Sequence, residues 1–220
     1  MNSKFNVIVA TVIILILLFG ITLFYFQIYN AKSKASIPIR VACVGDSLTW
    51  WTQYPNNLWM LLGSNYTVNN FGVGGATIAS DSGKPYINEL MFQNAKEFEP
   101  NIVIVMLGTN DANPALKFNI SSFVSNYLQL ITDFQKLDTK PEVLIVKPPP
   151  IFNNGTGLSS EKFETSVIPA IEEVANQTNL PFIDLYTPLF GHSEYFKDGV
   201  HLNNEGSQIV ANIVYNALIS

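Results

Sequence analysis

Residues 41–51 read VACVGDSLTWW and join an apolar run to a polar turn. The run Val41–Val44 is typical of a strand, and it leads directly into Gly-Asp-Ser. This tripeptide is common as an ordinary turn, but it can also hold a nucleophilic serine at the edge of a sheet. The second interpretation requires a base, an acid that orients the base, and donors for an oxyanion elsewhere in the chain.

On both sides of this stretch, strand-like and helix-like segments alternate. Strands are predicted over 39–44, 66–71, 102–107, 142–147 and 181–186. Helices are predicted over 56–63, 87–99, 120–137, 159–178 and 205–219. The alternation predicts one α/β domain over residues 38–220, with a five-stranded parallel sheet between helices on both faces, which is a three-layer α/β/α architecture.

The N-terminal part of the chain is strongly apolar. Residues 7–28 read VIVATVIILILLFGITLFYFQI and form a run of 22 residues without a formal charge. A membrane span needs about 20 such residues, whereas the apolar part of a signal peptide has about 7–15. We therefore expect a single transmembrane anchor over 7–28, after a flank over 1–6 and before a polar linker over 29–37. A long signal peptide is the alternative.

The charge of the predicted domain argues against one class of partner. The whole chain has a formal net charge of −5, and all 17 acidic residues lie after Pro38, together with nine Lys or Arg residues. Because this part is acidic and lacks a Lys/Arg cluster, we expect no nucleic acid partner. The single cysteine, Cys43, excludes an intrachain disulfide, and its place in a predicted strand favours a small buried side chain.

Glycine and small polar residues follow the first three predicted strands. They form GDS at 45–47, GVGG at 72–75 and GTND at 108–111. The carboxyl ends of parallel strands meet at one edge of the sheet, where sites usually form, so we expect these segments to lie together. Ser47 is the candidate nucleophile at this edge.

The candidate base is one of the two histidines. Asp198 lies three residues before His201, within DGVH, and its carboxylate can accept a hydrogen bond from one imidazole nitrogen. The other nitrogen is then free to take the proton of Ser47. An Asp-x-x-His pattern is also common as a surface turn. His192 has no carboxylate at a comparable spacing upstream and is interpreted as a loop residue.

Three donors are candidates for an oxyanion hole. They are the backbone N–H groups of Ser47 and Gly75 and the side-chain amide of Asn110. Gly75 lies in a glycine-rich loop in which no side chain blocks its N–H. As an ordinary turn, GTND would have Asp111 cap the next helix, and that role is compatible with catalysis.

Taken together, four short blocks resemble the SGNH (GDSL-type) hydrolase superfamily. They stand in the family's order as GDS at 45–47, NFGVGG at 70–75, GTND at 108–111 and DGVH at 198–201. The resemblance covers nearly all of residues 38–220 and implies the family's flavodoxin-like fold. It implies a serine esterase with no metal or organic cofactor. By the family pattern, the catalytic residues are Ser47, Asp198 and His201, and the oxyanion donors are Ser47, Gly75 and Asn110.

The substrate is less well defined by the sequence. Trp50, Trp51 and Tyr54 follow the nucleophile and can belong to the core or form an aromatic wall of the site. The stretches around the blocks, and KPPPIF at 147–152, resemble the carbohydrate O-acetylesterase members of the superfamily. We expect a small acyl group, such as acetate, on a glycan. The alternatives are a membrane-associated lysophospholipase or thioesterase and an inactive binding protein.

The expected location of the domain follows from this substrate. Lys4 precedes the apolar segment and Lys32, Lys34 and Arg40 follow it, so the flanking charges do not fix an orientation. Acetylated glycans occur mostly outside the cytosol. We therefore expect a membrane protein whose catalytic domain is extracytoplasmic.

Overall fold

The structure of the protein is a computed structural model that describes residues 3–33, 37–152 and 155–220. The chain divides into two compact units, Met1–Ile37 and Pro38–Ser220. The boundary falls between the expected linker and the expected α/β domain.

The first unit contains one helix, α1, which spans Ser3–Ser33. Residues 29–33 of the expected linker are therefore helical, and the expectation for residues 34–36 and for 1–2 lies outside the described residues. The side chains of α1 are described at position 9 and over 11–27, and all of these are exposed. Among the described residues, no helix has the length and apolar content needed to cross a membrane, and the anchor expected over 7–28 is unsupported.

Within the described part of the second unit, five strands form one sheet. The strands are β1 (Ile39–Gly45), β2 (Tyr66–Gly72), β3 (Ile102–Met106), β4 (Glu142–Lys147) and β5 (Phe182–Asp184). Their order across the sheet is β2-β1-β3-β4-β5, and every neighbouring pair is parallel. This arrangement confirms the predicted five-stranded parallel sheet.

Helices occupy the connections between the strands. The described helices after α1 are α2 (Ser47–Trp50), α3 (Tyr54–Leu62), α4 (Leu90–Glu97), α5 (Ile120–Gln135), α6 (Ser160–Lys162), α7 (Ile168–Thr178), α8 (Tyr186–Leu189) and α9 (Asn204–Ile219). Single 3₁₀ turns occur at Tyr86–Asn88, Thr109–Ala112 and Ser193–Tyr195.

The two faces of the sheet bury separate hydrophobic cores. Successive strand residues point to opposite faces, so β1 and β3 supply alternate side chains to each core. One core, covered by α4, α5 and α7, contains Ala42, Val44, Val103 and Val105. The other, covered by α3 and α9, contains Val41, Cys43, Ile104 and Met106. These central strands are buried on both sides, which explains why they read as unbroken apolar runs, and Cys43 is buried as predicted.

Two helical details differ from the sequence prediction. The short helices α2 and α8 were not expected, since four residues carry no helical period. The predicted helix over 159–178 contains a π-helical segment, Phe163–Val167, between α6 and α7. Pro169 lies at the start of α7 and has no N–H to donate to the preceding turn, which is a sufficient reason for the altered hydrogen bonding there.

Truncation of a core aromatic residue should destabilise the second unit. Phe134 of α5 is 0% exposed, and its ring meets that of Phe92 edge to face with centroids 5.4 Å apart. We expect Phe134→Ala to lower the free energy of unfolding by about 3–5 kcal/mol, measured by urea denaturation.

Met60 of α3 provides the control because it is 74% exposed. We expect Met60→Ala to change the free energy of unfolding by less than about 0.5 kcal/mol. Equal effects of the two substitutions would contradict the assignment of Phe134 to the core.

Candidate active site

A tight turn places Ser47 at the carboxyl end of β1. Asp46 caps α2, because its Oδ1 accepts a hydrogen bond from the Leu48 N–H at 2.9 Å. Ser47 is the first residue of α2, so its own N–H has no acceptor within the helix. A β-carbon at Gly45 would lie 2.7 Å from the carbonyl oxygen of Met106, so only glycine fits at the end of this strand. The turn thereby fixes both the hydroxyl and the N–H of Ser47.

A second turn, 198–201, brings the candidate base to Ser47. Nε2 of His201 lies 2.8 Å from Oγ of Ser47, and Nδ1 lies 2.6 Å from Oδ2 of Asp198. The other carboxylate oxygen of Asp198 accepts hydrogen bonds from the N–H groups of Val200 and His201, at 3.0 and 2.7 Å. Gly199 has a φ of +84°, which suits glycine at the bend of this turn. The structure thus joins the three residues in one chain of hydrogen bonds.

The environment of Asp198 keeps its carboxylate ionised. Partial burial raises the pKa of this group, but hydrogen bonds from the backbone and imidazole of His201 and from the Val200 N–H outweigh that effect. The resulting pKa is below the ordinary value for aspartate. An ionised Asp198 accepts a hydrogen bond from the N–H of Nδ1. Nε2 of His201 then carries no proton and faces Ser47 as an acceptor.

The three candidate oxyanion donors line the same cleft as His201. Gly75 has a φ of +79°, a conformation that side chains disfavour, and among the described residues no acceptor takes its N–H. Asn110 uses one hydrogen of its amide to bind the carbonyl oxygen of Ala76 at 3.0 Å. An amide nitrogen carries two hydrogens, so the second remains available to the cleft while the first fixes the orientation of the side chain.

The other glycines of the loop after β2 serve a different purpose. A β-carbon at Gly72 would lie 2.8 Å from Cα of Trp50, and one at Gly74 would lie 2.9 Å from the Trp50 ring. Both glycines therefore allow the loop to approach the turn that holds Ser47 closely. Asn70 joins the two segments as well, since its amide donates to the Thr49 carbonyl at 2.7 Å. Sequence analysis identified the block around Asn70 but not this contact.

Asp111 does not cap the next helix, contrary to the expectation from the sequence. Its two carboxylate oxygens accept the N–H groups of Ile78 and Ala79, at 3.0 and 2.8 Å, and so hold the chain that follows Gly75. The cap of α5 is Asn119, whose side chain accepts the Ser122 N–H at 2.9 Å. Asp111 is not available as a cap because its carboxylate accepts hydrogen bonds from N–H groups that lie more than 30 residues earlier in the chain.

Two carboxyl groups are buried beneath the cleft. Burial raises the pKa of Asp46 to about 7, against the lowering effect of the Leu48 N–H, and the nearby Asp111 carboxylate adds to the rise. Burial likewise raises the pKa of Asp111 to about 6, although the N–H groups of Ile78 and Ala79 lower it. Both groups hold backbone segments in place rather than face the cleft.

The cleft has a volume of about 460 Å³ and a mixed lining. Trp50 and Trp51 are 53% and 56% exposed, and their rings stack with centroids 5.2 Å apart. The ring of Trp51 also lies 5.0 Å from that of His201. Tyr54, by contrast, is 1% exposed and packs in the core that α3 and α9 cover. Of the two possibilities left by the sequence, Tyr54 therefore takes the core position, and it is not among the residues that line the cleft.

Several residues of the cleft were missed by sequence analysis. They lie outside the four blocks and include Lys84, Asn113, Leu116, Thr156 and Leu158. No local signal marks them, because the folded loops bring them to the cleft. His192, interpreted as a loop residue, is half exposed and contacts Glu194 rather than Ser47. In the described ranges, no group of three or more His, Cys, Asp or Glu side chains is placed to hold a metal ion.

Comparison with known proteins gives one curated relative with substantial identity. The acetylxylan esterase of Xylanibacter ruminicola is 31% identical over 206 residues. The match covers 82% of this chain, which spans 43% of the length of that protein.

Solved structures share the fold at lower identity. A carbohydrate acetylesterase family member from Sinorhizobium meliloti superposes with a TM-score of 0.66 at 22% identity, over 82% of this chain and 97% of that one. An acetyl xylan esterase gives a TM-score of 0.68 at 21% identity, over 82% and 100% of the two chains. A lipase/acylhydrolase from Enterococcus faecalis gives 0.65 at 21%, over 82% and 95%.

The family itself is defined by a match over most of the chain. The model of the GDSL-like lipase/acylhydrolase family aligns with residues 43–209, which include all four blocks found in the sequence. The predicted resemblance to SGNH (GDSL-type) hydrolases is thereby confirmed, and this chain belongs to the GDSL-like lipase/acylhydrolase family.

Proposed function

We propose that this chain is a serine esterase that removes small acyl groups, chiefly acetyl, from carbohydrate. The observation that carries the proposal is the pair of hydrogen bonds that links Ser47 to His201 and His201 to Asp198, at 2.8 and 2.6 Å. Family membership and the similarity to an acetylxylan esterase support the same reaction class.

In the proposed mechanism, His201 takes the proton of Ser47 through Nε2 as Oγ attacks the ester carbonyl. Asp198 holds the imidazole in position and stabilises its positive charge. The tetrahedral oxyanion binds to the N–H groups of Ser47 and Gly75 and to the free amide hydrogen of Asn110. His201 then protonates the departing alcohol, and an acyl group remains on Ser47. Water, deprotonated by His201, releases the acid and restores the serine.

The proposed substrate class follows from the lining of the cleft. Stacked indole rings at the surface offer an apolar platform for the face of a sugar, and the amide nitrogen of the exposed Asn113 offers a polar contact. The cleft is shallow enough to expose half of each indole, which suits a polymer better than a buried acyl chain. A lysophospholipase or thioesterase would instead require the tryptophans to line a groove for a long acyl chain.

We also propose that the Pro38–Ser220 unit acts outside the cytosol, because acetylated glycans are found mostly there. A reporter enzyme that is active only after export, fused after Ser220, should be active in cells. Membrane fractionation of the same fusion tests the anchor expected over residues 7–28. A reporter activity as low as that of a cytosolic control fusion would contradict the proposed location.

The acyl preference and the nucleophile can be tested together on the full chain. Wild-type enzyme should hydrolyse p-nitrophenyl acetate faster than the butyrate and octanoate esters. Ser47→Ala should lower kcat on the acetate ester at least about 10³-fold, because it removes the attacking oxygen. Ser125→Ala, an exposed serine of α5, should match wild type.

The possible outcomes of this comparison are distinct. A rate that rises toward octanoate would favour a lipid substrate. Equal rates for wild type and Ser47→Ala would reject the proposed triad. Folded protein that hydrolyses none of the esters and does not react with a fluorophosphonate would favour an inactive binding protein.

The role of Asn110 gives a second kinetic test. Asn110→Ala should lower kcat about 10²–10³-fold on p-nitrophenyl acetate, because one donor to the oxyanion is lost. KM should change little, since this donor acts mainly on the charge that develops in the transition state. Asn113→Ala, which removes another amide from the same cleft, should retain kcat near the wild-type value. An increase in KM with an unchanged kcat in Asn110→Ala would contradict the proposed role.

A further inference from the structure

The charge of the cleft differs from that of the domain around it. Residues after Pro38 include 17 acidic and nine basic side chains. Nevertheless, no Asp or Glu side chain is among the described residues that line the cleft. Among these described lining residues, Lys84 is the one Lys or Arg side chain. An acidic domain thus presents a cleft whose described lining includes a lysine and no carboxylate side chain.

The ammonium group of Lys84 is anchored beside the candidate oxyanion hole. Nζ donates a hydrogen bond to the carbonyl oxygen of Gly74 at 2.9 Å, one residue before Gly75. The backbone of Lys84 is fixed as well, because its carbonyl accepts the Thr77 N–H at 3.1 Å and its N–H binds Oγ of Ser82 at 3.2 Å. An ammonium has three donors, so two remain for a ligand.

Among the described side chains, no carboxylate lies within ion-pair distance of Lys84. Asp81 belongs to the same loop, but it lines the neighbouring cavity together with Lys117. The charge of Lys84 is therefore not neutralised by an ion pair within the cleft. A cation held at a binding site without a counter-ion favours a ligand that brings a negative charge.

The position of Lys84 relates this charge to the tryptophan platform. Gly74, whose carbonyl holds Nζ, is the same residue that packs against the Trp50 ring. The carbonyl thus places the ammonium on the loop that touches the indole stack. When a sugar of a polymer stacks on Trp50, that sugar or the next one along the polymer can place a negative group at Lys84.

We propose that Lys84 binds an anionic group of the substrate, so that the enzyme acts preferentially on acylated glycans that carry an acidic sugar. The inference rests on the proposed esterase function and narrows its substrate class. A lysine ammonium is a compact point charge and does not by itself separate a carboxylate from a sulfate. The shared chemistry is an anionic sugar, and a uronic acid and a sulfated sugar are its two sources.

The kinetic test compares matched substrates and variants. The substrates are acetylated oligosaccharides of equal length that are neutral, carry one uronic acid, or carry one sulfate, with p-nitrophenyl acetate as a small neutral reference. Wild type should show a kcat/KM about fivefold higher on an anionic substrate than on the neutral one, as expected for a partly exposed ion pair. The preference should fall as salt is raised, because ions screen the attraction.

Three variants separate substrate recognition from positioning of the loop. Lys84→Met keeps the length of the side chain but removes the charge and the hydrogen bond to Gly74. It should abolish the preference, so that kcat/KM falls more on the anionic oligosaccharides than on the neutral oligosaccharide or on p-nitrophenyl acetate. Lys84→Arg keeps the charge and should retain the preference. Lys117→Met removes a lysine from the neighbouring cavity and should leave the preference unchanged. An equal loss on all four substrates in Lys84→Met would show that Lys84 only positions the Gly74–Gly75 loop and would overturn the proposal.

A binding measurement keeps the inference separate from the proposed function. Ser47→Ala and the double variant Ser47→Ala/Lys84→Met are titrated calorimetrically with the same three oligosaccharides. Tighter binding of an anionic oligosaccharide that is lost in the double variant supports the role of Lys84, even if wild type hydrolyses none of the esters and the esterase proposal fails. The better of the two anions identifies the source. Equal binding of neutral and anionic oligosaccharides would overturn the inference, whatever the esterase activity.

Discussion

The parallel pairing of β1 with two neighbours is the constraint on which the site depends. Gly45 at the end of β1 lies opposite Gly72 of β2 and opposite Met106 of β3. Because the three strands end together, the segments that follow them emerge at one edge of the sheet. Ser47, Gly75 and Asn110 each come two to four residues after these paired positions. A shift of one residue in either pairing would reverse the faces of a strand and separate Gly75 or Asn110 from Ser47.

Close packing and buried carboxylates then hold this edge in shape. Gly72 and Gly74 let the loop after β2 approach Trp50, and Asn70 ties the same loop to the Thr49 carbonyl. Asp111 binds the chain after Gly75 from below, through two backbone N–H groups. The candidate oxyanion donors are thus fixed by the fold itself, which is the condition under which such donors stabilise a transition state effectively.

The fold and much of the site could be predicted because their signals are local. Unbroken apolar runs mark β1 and β3, and short blocks with fixed spacing mark Ser47, Asn110 and the pair Asp198 and His201. What could not be predicted depends on tertiary contact. The acceptors of Asp111 are distant in sequence, the ring of Tyr54 faces the core, and Lys84 reaches the cleft through a loop without a recognisable motif. The sequence shows which residues are charged or aromatic, but it does not show which surface their side chains will face.

The hydrogen bond between Ser47 and His201 joins residues that are far apart in the chain. This separation has a consequence for biosynthesis. Ser47 and His201 are separated by 154 positions, and the segment that bears His201 is anchored by α9, which packs against α3 early in the chain. A growing polypeptide that already contains Ser47 still lacks His201, its proposed proton acceptor. In the proposed mechanism, ester cleavage requires that the distant segment has docked, so the onset of cleavage would report the completion of folding.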